Sequence, residues 1–382
     1  MVEPGTPGTK RSWGDLARLA AKALLLAALI NVAFVPMRSL DTFGSISLYN
    51  RIVPGRLRLP YGDDPARSYN VSVTNLEALF ASHELDVPSP SDDDLQALVV
   101  GDSSVWGFRL SASDTLAAQL NRLQLLSRES QIEFHNLGYP TMSLLKDLMI
   151  LERGLAYQPD VIIWLVTLES FPVSRQAESP IVSLNRAESE ALLIRFGIAP
   201  DRYLPAADSP SWWKTGVIGR RQELAELFRL QMYGLMWAAS GVDHDLSTEF
   251  ELRAEDLEAD NTFQGFPRDG MQPDDLAWDL LASGVDAAAP VPVLIVNEPI
   301  FISAGANSEI RYNFFYPRWA YDAYREWLAT ECRDHGWVCV DLWEALPAAT
   351  FTDSAVHYNA RGAELLASRL SDPILAAADS SR

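Results

Sequence analysis

Apolar positions along this chain follow two alternating periods. Runs of four to eight consecutive apolar residues, bounded by Gly, Asp, Asn or Pro, read as strands buried on both faces; stretches with apolar residues every three or four positions read as amphipathic helices. By these signals "LQALVVGD" (95–102) is a strand, "SDTLAAQLNRLQLL" (113–126) a helix and "IEFHNLGYP" (132–140) a strand and turn. "SLLKDLMILERGLAY" (143–157) is a second helix and "PDVIIWLVTLES" (159–170) a buried strand. The alternation resumes with "DLAWDLLASG" (275–284), "VPVLIVNEPIF" (291–301), a helix ending at Cys332, "WVCVDLW" (337–343) and "NARGAELLASRL" (359–370). Strands separated by helices at this spacing predict an α/β fold: a three-layer, doubly wound parallel sheet with helices on both faces.

Two regions break the pattern. Residues 172–273 form an insertion without sustained strand period, carrying the amphipathic stretch "RRQELAELFRLQMYGLMWAASG" between acidic loops. That helix either packs its apolar face on the core or serves as a lid or membrane-lying helix. Before the core, "ALLLAALINVAFVPM" between Lys22 and Arg38 has no charge, and its apolar character reaches back past Lys22 and Arg18, whose side chains can snorkel. The stretch approaches the roughly 20 residues that span a bilayer. Residues 15–37 therefore predict a transmembrane signal anchor, with 1–14 a cytoplasmic tail, 38–95 a linker or wrapping segment and 96–382 the α/β domain.

Charge sharpens this division. Up to Pro60 there are eight Lys/Arg against Glu3, Asp15 and Asp41, about +5, so the rest of a chain of net charge −20 carries about −25. A body that acidic repels phosphate backbones, which argues against nucleic acid as partner; the basic end points to a lipid bilayer, with the α/β domain extracytoplasmic. The two cysteines, Cys332 and Cys339, are too few for a zinc site. They form either a disulfide suited to an exported domain or two buried thiols.

In an open parallel sheet ligands bind outside the carboxyl ends of the strands, where Gly101-Asp102-Ser103-Ser104 lies. A serine hydroxyl needs a histidine to take its proton and a carboxylate to orient the ring. Of five histidines, His83 falls before the core, His244 in the insertion, His335 in a helix-to-strand turn and His135 within a strand. His357 differs: "FTDSAVHYNARGAELLA" places it in the loop before the last helix, at the same sheet edge as Ser103, with Asp353 four positions earlier.

Here the sequence resembles the SGNH (GDSL-type) hydrolases. "VVGDSSVWG" matches their first block, which implies Ser103 as nucleophile and its N–H as an oxyanion donor. "HNLGYP" is similar to the second block, implying a further oxyanion N–H at Gly138. "DSAVHYNARG" is similar to the last, Asp-x-x-His before a helix, with one extra residue; it implies His357 as base and Asp353 as its orienter. The likeness covers about 98–370 apart from the insertion, and implies neither cofactor nor metal. The third block departs from the family: "VTLES" has Val166 for Gly, Leu168 for the oxyanion-donating Asn and Glu169 for Asp. Losing one such donor costs about 3–4 kcal/mol of transition-state stabilisation. Asn297, at the end of "VLIVN", is the candidate replacement.

The resemblance implies a membrane-anchored serine esterase or O-acyltransferase acting on ester or acyl groups, including those of cell-surface polysaccharide, sometimes beside a membrane-bound O-acyltransferase. Leu168 and the longer Asp–His spacing keep open a catalytically silent domain that binds glycan or such a partner.

Overall fold

The computed structural model describes residues 13–34, 94–206, 216–240 and 250–380, with single positions at 48, 52, 76, 80 and 85. Its centre is a six-stranded sheet. The strands are β1 (Leu95–Gly101), β2 (Leu126–Ser127), β3 (Ser130–Gly138), β4 (Val161–Val166), β5 (Val293–Asn297) and β6 (Val338–Asp341). They lie in the order β2-β3-β1-β4-β5-β6, all pairs parallel except β2 with β3. The direction of winding therefore reverses at β1, which stands between β3 and β4, and the crevice above such a switch point is where an open α/β sheet takes ligands.

Strand alternation sends neighbouring residues to opposite faces. Leu98, Val100, Ile162, Trp164 and Ile295 enter one buried cluster with α4 (Leu144–Gly154), α8 (Trp278–Ala288) and α9 (Arg318–His335). Ala97, Val99, Ile163, Leu165, Leu294 and Val296 enter the other, with α3 (Leu116–Arg122) and α10 (Ala360–Ser380). Both faces are covered, which is why these strands read as continuous apolar runs.

The helix expected over 113–126 is shorter. It begins at Leu116, capped by the Thr115 side chain, and ends at Arg122. Gln124, Arg128 and Glu129 then take positive φ, and Leu126-Ser127 turns back to pair with β3 at the sheet edge. Cys332 and Cys339 form a disulfide that ties the last turn of α9 to β6.

The insertion starts with two short helices, α5 (Pro180–Leu184) and α6 (Arg186–Arg195), and its ends meet in a bridge between Pro172 and Leu276. Its long helix, α7 (Arg221–Ser240), exposes Phe228, Met232 and Met236. His244 and His83 lie outside the described residues, as do 35–37 and 1–12. Within 38–93, Leu76, Phe80 and Leu85 are buried in the α4 cluster.

The expected transmembrane span needs correcting. A helix does form there, α1 (Trp13–Phe34), but among the described residues no helix is long and apolar enough to cross a membrane. Asp15, Arg18 and Lys22 occupy its first half and interrupt the apolar run.

Candidate active site

The turn after β1 is built for close approach. A Cβ at Gly101 would lie 2.6 Å from Val105 Cγ2, so glycine lets the chain fold straight into α2 (Ser103–Trp106). Asp102 is extended and caps that short helix, its Oδ1 accepting from the Ser104 N–H at 2.7 Å; Gly107, at φ 91°, ends it. Ser103 is thus the first helical residue, half-buried, and its N–H is one of the donors a helix start leaves unpaired.

His357 reaches the same edge from the loop before α10. Thr352 N–H donates to His357 O at 2.9 Å and Asn359 N–H to Thr350 O at 2.8 Å, closing residues 352–357 into a tight loop. Ser103 Oγ and His357 Nε2 are 2.8 Å apart, and His357 Nδ1 lies 3.3 Å from Asp353 Oδ1. The extra residue in "DSAVH" is taken up by this loop without breaking the contact. The other Asp353 oxygen accepts from Arg109 Nε at 2.7 Å. Burial alone would raise the Asp353 carboxyl, but hydrogen bonds from Arg109 and His357 outweigh it and hold the group below its ordinary value. The Phe108 ring covers the imidazole at 4.6 Å.

Two expected oxyanion donors are elsewhere engaged. Gly138 N–H donates to Asn136 Oδ1 at 3.0 Å. Glycine is required at 138 because a Cβ there would meet the Trp106 backbone nitrogen at 2.3 Å, so the residue makes room for α2 rather than offering its N–H. Asn297 donates to Asp341 Oδ1 at 2.8 Å and accepts from the Tyr321 and Tyr324 hydroxyls. It follows Ile295 in strand parity and so faces the α9 layer, while His357 arrives with α10 on the other side. Asn297→Ala is therefore expected to lower stability by about 1–3 kcal/mol, since Asp341 and both tyrosine hydroxyls lose their shared partner, and to leave turnover of the folded protein unchanged. Denaturant unfolding alongside ester kinetics checks both halves.

In the third block, Leu168 is fully buried among apolar side chains and offers no donor. Glu169 instead anchors the insertion, pairing with Arg175 and accepting from Gln264 Nε2 at 2.8 Å.

No protein-family model matches this chain, and neither does any curated protein. Solved structures do show similarity. One, from Veillonella parvula DSM 2008, is a member of the lipolytic G-D-S-L family; it is 11% identical with a TM-score of 0.35, over 72% of this chain and 96% of that one. A protein from Desulfitobacterium hafniense DCB-2 assigned to the same family is 11% identical with a TM-score of 0.33, over 73% and 99%. A protein from Agrobacterium tumefaciens str. C58 assigned as an arylesterase is likewise 11% identical, TM-score 0.33, over 73% and 98%. At such values the likeness says nothing of activity or substrate.

Arg109 at the site, and the backbone of Thr141 after β3, escaped the sequence reading. Arg109, at φ 65°, turns back from the nucleophile segment to Asp353 and stacks on Phe250. Thr141 takes φ 81°, where a β-branched residue is an outlier, two positions after Tyr139, whose N–H donates to Gly101 O. Among the described residues the Thr141 N–H has no acceptor. Nothing in "YPTMS" signals a left-handed threonine.

Proposed function

We propose that this chain is a serine enzyme acting on ester or acyl groups through a Ser103–His357–Asp353 triad. The observation that carries this reading is the 2.8 Å contact of Ser103 Oγ with His357 Nε2, backed by Asp353 on the far ring nitrogen. Ser103 Oγ attacks the acyl carbon and its proton passes to His357 Nε2. Asp353 holds the Nδ1–H tautomer and stabilises the imidazolium, while Arg109 fixes the carboxylate. The oxyanion is met by the N–H of Ser103 at the start of α2. His357 then protonates the departing oxygen, leaving an acyl group on Ser103. Water completes hydrolysis, and a sugar hydroxyl in its place completes transfer.

The Cys332–Cys339 disulfide supports work in an oxidising, extracytoplasmic compartment. Leu168, which removes one donor from the oxyanion site, favours the second reading, a silent binding domain.

A fluorophosphonate probe separates the two. Intact wild-type protein is expected to gain one probe mass on the peptide containing Ser103, and Ser103→Ala and His357→Ala to gain none. An unlabelled wild type, or equal labelling of Ser103→Ala, would overturn the triad.

A further inference from the structure

Behind Ser103 the structure buries more acid than base. Asp102, Asp147 and Glu298 are all buried, and Lys146 is the cation among them. Ser104 links the two acids nearest the nucleophile: its N–H donates to Asp102 Oδ1 at 2.7 Å and its hydroxyl donates to Glu298 Oε2 at 2.6 Å. The remaining oxygen of each carboxyl, Asp102 Oδ2 and Glu298 Oε1, is buried with no hydrogen-bond partner. Two bare carboxylate oxygens would each carry a desolvation penalty and repel each other. A proton on Glu298 removes one of the two charges and the repulsion with it.

We propose that Glu298 is a neutral carboxylic acid in the folded protein, and that Asp102 and Glu298, linked through Ser104, position the turn bearing Ser103. The positioning half rests on Ser103 being the nucleophile; the proton does not.

The surroundings agree. Burial, then the Asp102 charge, push the Glu298 carboxyl well above its ordinary range, and Asp147 adds to this. The hydrogen bond from Ser104 and the Lys146 charge act the other way and do not outweigh them. The remaining titratable neighbours, Tyr316, Tyr321, Tyr324 and Tyr358, are phenols pushed up by burial and therefore neutral. With Glu298 neutral, Asp102 keeps its hold on the Ser104 N–H. Ionised, Glu298 would set a second negative charge across Ser104 from Asp102 and loosen the cap.

The test uses the full chain as wild type, Glu298→Gln and Glu298→Ala. An unfolded glutamate loses its proton near 4.5, while the folded one keeps it. Folded protein then binds more protons than unfolded, so wild-type stability falls as pH rises above that value, the unfolding constant growing about tenfold per pH unit until the folded acid ionises. Glutamine carries no such proton. From about pH 5 to about pH 7 the wild-type unfolding constant should rise roughly a hundredfold relative to Glu298→Gln; a flat ratio overturns the neutral acid. In kinetics on a nitrophenyl ester, Glu298→Gln should restore most of what Glu298→Ala loses, and the alkaline fall-off of kcat/KM expected of wild type should be absent from Glu298→Gln. If Gln is as impaired as Ala, the positioning role is overturned. If no variant shows Ser103-dependent turnover, the nucleophile reading falls and the positioning half with it, while the ratio of unfolding constants still decides the proton.

Discussion

Ser103→Ala and His357→Ala are each expected to lower kcat/KM for an activated ester by about 10⁴-fold or more while leaving the fold intact. The hydroxyl is a poor nucleophile unless its proton is taken as the bond to carbon forms, and the group placed to take it is His357 Nε2 at 2.8 Å. Because the two residues act as one unit, the double variant should be scarcely worse than either single one. Asp353→Asn tests the third member: an amide at that place favours the wrong imidazole tautomer, and its loss should approach about 10⁴-fold. The decisive comparison is with protein purified identically. Residual activity that is equal in wild type, Ser103→Ala and His357→Ala would come from something other than this site and would leave the silent-domain reading standing.

What could be read from the sequence follows from how local each signal is. A strand buried on both faces, such as "VIIWLV", declares itself because every residue must be apolar, and "GDSS" after "LVV" marks a turn because glycine permits the close return onto Val105. His357 could be found because topology delivers the loop before the last helix to the edge where β1 ends. Pairings set by face rather than by edge were lost. Asn297 and Glu298 are neighbours at one strand end, but a period of two points them to opposite sides of the sheet. The amide bonds the tyrosines of α9 and the carboxyl bonds Ser104 beside the nucleophile. Arg109 was hidden because its partner lies 244 residues away and its own backbone adopts a conformation that arginine seldom takes. The N-terminal span of 15–37 relied on Arg18 and Lys22 snorkelling, and with them and Asp15 inside it the helix that forms is not apolar enough to cross a membrane.

Loss of Lys146 is expected to weaken the fold strongly. In "SLLKDLM", within the helix expected over 143–157, the adjacent Lys146 and Asp147 are both buried. Lys146 Nζ donates to Gly101 O at 2.8 Å and to Tyr139 O at 2.9 Å, and lies 2.6 Å from Asp147 Oδ1. It therefore ties the carboxyl end of β1 to the loop that carries Thr141. Burial already pushes the Asp147 carboxyl above its ordinary value against the pull of Lys146, and the Trp164 indole N–H donates to its Oδ2 at 3.2 Å. Lys146→Met would leave that acid in an apolar layer without its cation and Tyr139 O without its donor. Breaking a buried pair in this way costs about 3–5 kcal/mol, a large share of the roughly 5–15 kcal/mol that holds a folded domain together. The urea midpoint should fall accordingly. Lys146→Met combined with Asp147→Leu should recover part of the stability, because the acid that Lys146 pairs with leaves together with it while Asp102 stays buried nearby. It should not recover turnover, since the Lys146 bridge from Gly101 O to Tyr139 O beneath the nucleophile turn is still missing, leaving the Tyr139 N–H to Gly101 O bond to hold the two segments. A single variant within about 1 kcal/mol of wild type would mean that water reaches this layer and that Lys146 is not the tie.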